Sequence, residues 1–318
     1  MSGTSPVYGG IEAGGTKWVC AVADAGGRIT DTEVIPTTTP AATLGGAVRF
    51  LRRHEPLAAI GVGSFGPIDL RPGSPSYGHI TSTPKPGWAD TDIVSPLRAA
   101  LGVPVQVDTD VNAAALGEWR RGAAAGLTTF AYMTVGTGIG VGVLVNGRPV
   151  HGLLHPEFGH IRVPRDAVRD PFAGSCPFHG DCLEGLASGE AMRRRWGRPA
   201  EHLDDPSAWD LEADYLALAV LTLTYALSPE RVVVGGGVAA HPSLLPAVRA
   251  KVLDLAAGYP ATPALTDPAA TAAYVVGPSL GGRSGITGAV ELARELAPDA
   301  GSPGSAVDDD ARGSARRA

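Results

Sequence analysis

The chain has 318 residues, 44% hydrophobic and 18% charged, with a formal net charge of -6 and a pI near 5.7. That length supports a large core split between two lobes, and the acidic balance excludes a nucleic-acid partner that needs a broad basic face. No apolar run reaches the roughly eighteen residues of a membrane span, and MSGTSPVYGG lacks a basic segment followed by an apolar one, so no membrane partner and no secretory signal are expected. Three cysteines cannot build an extracellular disulfide framework: Cys20 lies in an apolar run as a buried thiol, and Cys176 and Cys182 have metal spacing. A reducing, cytoplasmic compartment follows.

In chain order, Val7 to Ala13 and Trp18 to Ala23 alternate around Gly14-Gly15-Thr16-Lys17, the pattern of a hairpin with a glycine-rich turn. A third strand is predicted from Arg28 to Pro36, after Gly26-Gly27. Ala41 to His54 has helical spacing, Leu57 to Gly63 is an apolar strand, and Thr91 to Leu101 reads as a helix. Val103 to Val107 is a short strand before an alanine-rich helix from Asn112 to Arg121. The design then repeats: Phe130 to Val135, a turn at Gly136-Thr137-Gly138-Ile139-Gly140, and Val141 to Val145. Such a duplication carries more weight than any single motif. Helices follow from Ser188 to Trp196 and Leu211 to Leu227, then a strand from Arg231 to Val234 ending in Gly235-Gly236-Gly237. A helix from Leu244 to Leu255, a Pro/Ala/Thr loop from Ala261 to Ala270, a strand at Tyr274 to Val276 and a helix from Gly285 to Leu296 close the folded part. The tail from Pro298 is predicted to be disordered.

Tight glycine turns aim consecutive N–H groups at an anion and let a phosphate approach without a Cβ in the way. Gly14, Gly15, Thr16 and Lys17, with Gly136, Thr137 and Gly138 from the repeated half, are the candidate phosphate loops. Gly235, Gly236 and Gly237, between a strand and a helix, suit a ribose or adenine. Gly61 to Gly66 fits G-x-G-x-x-G, but Pro67 follows and no helix opens, which excludes a dinucleotide fold. Neither a Walker A motif nor a G-x-S-x-G elbow is present.

The stretch from His155 to Leu186 concentrates His160, Cys176, His179 and Cys182, with C-x2-H-x2-C spacing and Glu157 and Glu184 nearby. Thiolate and imidazole are the ligands zinc prefers, and four of them close a structural site with no open position for catalysis.

GGIEAGGTKWVCAV, DTDVNAAALGE, VGTGIGVG, PEFGH, the cysteine cluster followed by LEG, and VVVGGGV stand in the order found in the ROK family of repressors, open reading frames and sugar kinases. From about Val7 to Leu296 the chain resembles that family, and IEAGGTK, YGHITSTPKPGW and CPFHGDCLEGLASG resemble its zinc-containing bacterial fructokinase branch. The resemblance implies an α/β, actin-like (ribonuclease H-like) duplicated fold with a cleft. Residues 1–118, closed by a helix at about 285–297, would form one domain and 119–284 the other, with a zinc loop at 155–186 and a tail at 298–318. It implies ATP carried with Mg²⁺, fructose as the sugar, phosphorylation on the 6-hydroxyl, a structural Zn²⁺ and a homodimer. Kinases for glucose, mannose or an N-acylhexosamine, and a sugar-binding protein without catalysis, are the alternatives. The repressor branch carries an N-terminal helix-turn-helix, for which a first strand at Val7 leaves no room.

The same resemblance assigns Asp110 as the base that takes the proton from the attacking hydroxyl; on residues alone, a helix N-cap is the favoured reading of Asp110. Asp108 ranks lower because only Asp110 precedes V-N-x-A-A-L-G-E in the family register. Glu157 and Glu184 are implied to accept hydrogen bonds from the sugar, and His160, in E-x-G-H, to serve metal and sugar alike; that match sets aside His151 and His155 as ligands. Thr109 (asparagine in related glucokinases), Asn112, Gly66 and Lys85 complete the predicted sugar set, and Glu12 stands where relatives carry aspartate. Tyr77 to Asp92, with Lys85 and Trp88, reads either as a lid or as a surface excursion with Trp88 tucked against the core. His54, His79, His202 and His241 have no cluster and read as surface or loop residues.

Overall fold

Alternating burial builds the first sheet. In the computed structural model, which describes residues 5–296, β1 (Tyr8–Ala13) turns into β2 (Lys17–Ala23), and β3 (Ile29–Pro36) follows as the expected meander. β1 and β2 pair antiparallel from Tyr8 opposite Ala23 to Ala13 opposite Trp18, which turns Trp18 and Cys20 into the core. Helix α1 (Pro40–Arg52) opens where the Thr39 hydroxyl accepts the Ala42 N–H, and buries Leu44, Ala47 and Leu51 at helical spacing. β4 (Ala59–Ser64) then runs parallel to β1.

A ribbon of β5 (His79–Ile80) and β6 (Thr91–Asp92) precedes α2 (Ser95–Leu101). The helix predicted from Thr91 therefore starts four residues later. The Asp92 carboxylate accepts the N–H groups of Val94 (3.0 Å) and Ser95 (2.9 Å), turning the chain, while Thr91 and Asp92 pair with β5. β7 (Val105–Thr109) lies parallel to β4 and leads directly into α3 (Asp110–Arg121).

The second half repeats the plan with β8 (Phe130–Val135), β9 (Ile139–Val145) and β10 (Arg148–Pro149). Helices α4 (Leu183–Ala187), α5 (Gly189–Trp196) and α6 (Pro206–Leu227) follow the metal-ligand stretch. α6 begins five residues before its apolar periodicity, because Asp205 caps it and Pro206 suits the first turn. β11 (Val232–Gly235) and α7 (Leu244–Ala256) come next. The predicted Pro/Ala/Thr loop instead contains α8 (Pro263–Thr266) and α9 (Pro268–Tyr274), each with proline in its first turn and α9 capped by Asp267. β12 (Val275–Val276) and α10 (Ser284–Glu295) complete the described chain; the predicted tail lies outside it.

The sheets have the orders β3-β2-β1-β4-β7 and β10-β9-β8-β11-β12, one plan used twice. One core gathers Trp18, Phe50, Ile60 and Trp88, the other Met133, Trp209, Leu216 and Val248. α10 returns to the first half and packs on β1, β4 and α3. Its crossing with α3 is backbone to backbone: a Cβ on Gly288 would overlap the Ala113 carbonyl, and one on Gly117 would overlap the Ser284 carbonyl. The helix that begins at Asp110 is thereby locked against α10.

Candidate active site and metal centre

Between the halves lies a cleft of about 610 Å³, within the size range of small-molecule sites. Glu12 and Asp110 line its inner end, Tyr132 and Thr134 one wall, and Gly235, Gly236 and Gly237 another. The third glycine loop thus lines the cleft. The turns at Gly14–Lys17 and Gly136–Gly138 do not line this cleft. Gly277, Pro278, Gly281 and Gly282 do, a wall that the sequence reading passed over. Its signal was G-P-x-x-G-G immediately before the last helix.

Asp110 is the first residue of α3, but the cap is Thr109, whose hydroxyl accepts the Asn112 N–H at 3.1 Å. Asp110 is free of that structural duty; one carboxylate oxygen accepts the Val111 N–H at 2.8 Å. Burial first, then repulsion from Glu12 and Glu157, pushes its pKa up to about 7. Glu12 is raised by burial as well, partly offset by the Lys17 ammonium and the Ile286 N–H.

Asp108 serves structure. Buried, it accepts hydrogen bonds from the Thr109 N–H (2.7 Å) and Asn112 Nδ2 (2.8 Å), and lies 3.1 Å from His151 Nε2. His151 stands outside the four-residue donor cluster, and its hydrogen bond to Asp108 raises its pKa against the opposing effect of burial. Thr109 is buried with its hydroxyl used as the cap. Asn112 is buried too, yet its Oδ1 finds no protein donor among the described residues.

The metal-ligand residues converge. His160 ends a short 3-10 turn, Cys182 caps α4, and reciprocal backbone bonds between Cys176 and Gly180 hold the knuckle that carries His179. All four donor atoms lie within 4.8 Å of one another. His160 Nδ1 is 3.7 Å from Cys176 Sγ, 3.6 Å from Cys182 Sγ and 3.3 Å from His179 Nδ1. Tetrahedral zinc, with bonds of about 2.3 Å to sulfur and 2.0–2.1 Å to nitrogen, requires N···N near 3.4 Å and S···N near 3.6 Å. The donor set fits zinc in identity and spacing. Without a cation, burial and the neighbouring Cys176 thiol push Cys182 up to about 11, a penalty that metal coordination reverses.

Beside this centre, Glu157 faces His155 Nδ1 at 3.5 Å and His160 Nε2 at 4.0 Å, so a carboxylate backs the ring whose other nitrogen points at the cluster. Desolvation and the adjacent Glu184 raise Glu157 to about 7. Glu184 itself accepts the Ile139 N–H at 3.0 Å and occupies the space that a side chain at Gly138 would take. It therefore braces the second glycine turn from the metal loop. Gly66 sits against His155, whose Nε2 accepts the Ile68 N–H at 3.2 Å, joining the metal loop to the first half.

Lys85 Nζ donates to the Thr37 carbonyl (3.4 Å), and Thr37 in turn donates from its hydroxyl to the Gly14 carbonyl (2.7 Å). Trp88 is fully buried against Trp18 and Phe65 and donates from Nε1 to the Thr38 carbonyl. Of the two readings of this segment, Trp88 follows the tucked one. His241, read as a loop residue, lines the cleft with its ring stacked on Trp209 at 3.7 Å.

A family model described as the ROK family matches residues 8–296. A fructokinase of Zymomonas mobilis is 45% identical over 304 residues, covering 92% of this chain and 98% of its own. A fructokinase of Pediococcus pentosaceus is 42% identical over 290 residues, covering 91% and 98%. A crystal structure of a ROK family glucokinase from Streptomyces griseus, in complex with glucose and AMPPNP, superposes with a TM-score of 0.72 at 26% identity, over 92% of this chain and 100% of that one. The duplicated α/β fold is the actin-like one of ROK sugar kinases. Matched by the family model from the first strand to the end of the described residues, the chain belongs to the ROK family.

Proposed function

We propose that the protein is an ATP-dependent fructokinase that transfers the γ-phosphoryl group of ATP to the 6-hydroxyl of D-fructose. The observation that carries this reading is Asp110: a carboxyl at the inner end of a nucleotide-sized cleft, relieved of capping and held near pKa 7. A base poised near the working pH is the one group this transfer needs. Asp110 takes the hydroxyl proton as the new O–P bond forms. The bond from the γ-phosphorus to the β–γ bridging oxygen breaks, and ADP leaves with the electron pair.

Gly14, Gly15, Thr16 and Lys17 with Gly136, Thr137 and Gly138, which stand outside the cleft lining, are assigned to the phosphates on their turn chemistry alone, and Gly235, Gly236 and Gly237, which line it, border the nucleoside. Mg²⁺ bound with ATP neutralises charge on the phosphates; Glu12 and Asp110 are the carboxylates of this chain that would meet it. Glu157, His160, Glu184 and Asn112 serve the sugar side. Gly66 and Thr109 shape it, and Lys85 reaches it through the first turn. His160, Cys176, His179 and Cys182 hold a structural zinc that orders the loop between Glu157 and Glu184. Fructose as the acceptor is supported by the two fructokinases above 40% identity. Coupled ADP release across fructose, glucose, mannose and N-acetylhexosamines tests the reading. Fructose should give the highest kcat/KM; faster turnover of glucose overturns the assignment.

A further inference from the structure

Glu118 has no part in the chemistry described so far, yet it is the most heavily bonded buried carboxyl beside the cleft. It is fully buried near the end of α3, two turns beyond Asp110. Its Oε2 accepts the N–H of Ala123 (2.6 Å) and of Ser279 (3.1 Å). Its Oε1 accepts the N–H of Leu280 (3.0 Å) and the hydroxyl of Ser284 (2.7 Å). Three of these four donors belong to the segment from Ser279 to Ser284, more than 160 residues away in sequence. That segment follows Pro278, which packs beside Gly235, and carries Gly281, Gly282 and Ser284, all of which line the cleft together with Gly235–Gly237.

Only a single 3-10 turn at Gly281–Arg283, held by the Arg283 N–H to the Leu280 carbonyl, joins this glycine-rich segment to α10, and one such bond does not fix where Ser279 and Leu280 stand. A buried carboxyl that takes three of the segment's donors fixes that position, and loss of the carboxyl strands buried N–H groups. Ser284 has 2% exposure and its one hydroxyl hydrogen has Glu118 Oε1 at 2.7 Å as its nearer acceptor, with the Gly281 carbonyl at 3.0 Å, so its side chain is part of the tether.

We infer that Glu118 is a nucleotide-positioning residue: it fixes the wall of the cleft formed by residues 277–284 relative to the helix that presents Asp110, and so sets the affinity for the nucleoside end of ATP without touching the sugar. The inference rests on the kinase reading for the identity of the nucleotide.

The test uses full-length protein, with calorimetric titration of AMPPNP and steady-state kinetics for ATP and fructose. Glu118→Gln keeps the size but offers amide hydrogens where the carboxylate accepted them. It should raise the AMPPNP Kd and the KM for ATP by about tenfold or more, with the KM for fructose within about twofold of wild type. Ser284→Ala removes a single donor and should raise the same two nucleotide constants by a few-fold, again sparing fructose. Hydrogen exchange at the Ser279 and Leu280 amides should accelerate in Glu118→Gln. Nucleotide constants unchanged in Ser284→Ala, or fructose and ATP constants rising together in either variant, overturn the inference. If Glu118→Gln does not fold, Ser284→Ala decides alone. Wild type that binds AMPPNP but turns over no fructose refutes the kinase assignment while leaving the Kd comparison intact.

Discussion

Asp110→Asn should cost the protein its turnover and increase its stability. The side chain keeps its size, and its Oδ1 still accepts the Val111 N–H seen at 2.8 Å, so the start of α3 is undisturbed. As a base it is lost, and general-base catalysis is worth about 10²–10⁴-fold; kcat should fall by at least about 10². The stability term follows from the pKa, raised from 3.8 to about 7 by burial, Glu12 and Glu157. A unit of pKa corresponds to about 1.4 kcal/mol, so ionising Asp110 in the fold opposes folding by at most about 4 kcal/mol, less the screening by water at the cleft wall. A raised folded-state pKa favours the fold fully below about pH 4, where the unfolded carboxyl is protonated too. That contribution is lost as pH rises from about 4 to about 7 and changes little beyond. Asparagine does not titrate. Melting curves without nucleotide or divalent ion should therefore show the variant gaining on wild type through that window and holding a constant lead above it. Wild-type kcat/KM should rise with pH through about 7. Near-normal turnover by folded Asp110→Asn, or a melting difference independent of pH, would refute the argument.

Protein purified without chelator should carry one zinc per chain by elemental analysis. Cys182→Ser should lose it along with fructose turnover, since the bound metal contributes on the order of 10 kcal/mol to ordering the loop. Gly288→Ala drives a methyl into the Ala113 carbonyl on α3, and should lower unfolding free energy in urea by about 3 kcal/mol or more. Trp88→Ala empties a fully buried site and strands the Thr38 carbonyl, with an expected cost of about 3–5 kcal/mol in the same measurement.

Much of the fold was readable in order because its signals are local. Hairpin turns, alternating strands and helix periodicity depend on neighbours a few residues apart, and the duplicated halves stated the plan twice. Capping chemistry explains the boundary errors: Asp92 delayed α2, Asp205 advanced α6, and paired prolines made two short helices of an expected loop. Histidine roles were read less well. His151 and His241 have no spacing signature, and only proximity to Asp108 and Trp209 gives them a place.

From residues alone come the donor types at His160, Cys176, His179 and Cys182, the glycine turns, and an aspartate at the head of an alanine-rich helix, each dictated by side-chain chemistry at short range. Local geometry gives Thr109 the cap and Asn112 to Asp108, a choice among neighbours that spacing does not make, and tertiary structure alone adds His151 to Asp108 from 43 residues away. It also decided that Glu184 braces Ile139 and that Glu118 holds the loop at Leu280. Those partners are 45 and 162 residues apart, and contacts at such separations leave no periodic trace in a single chain.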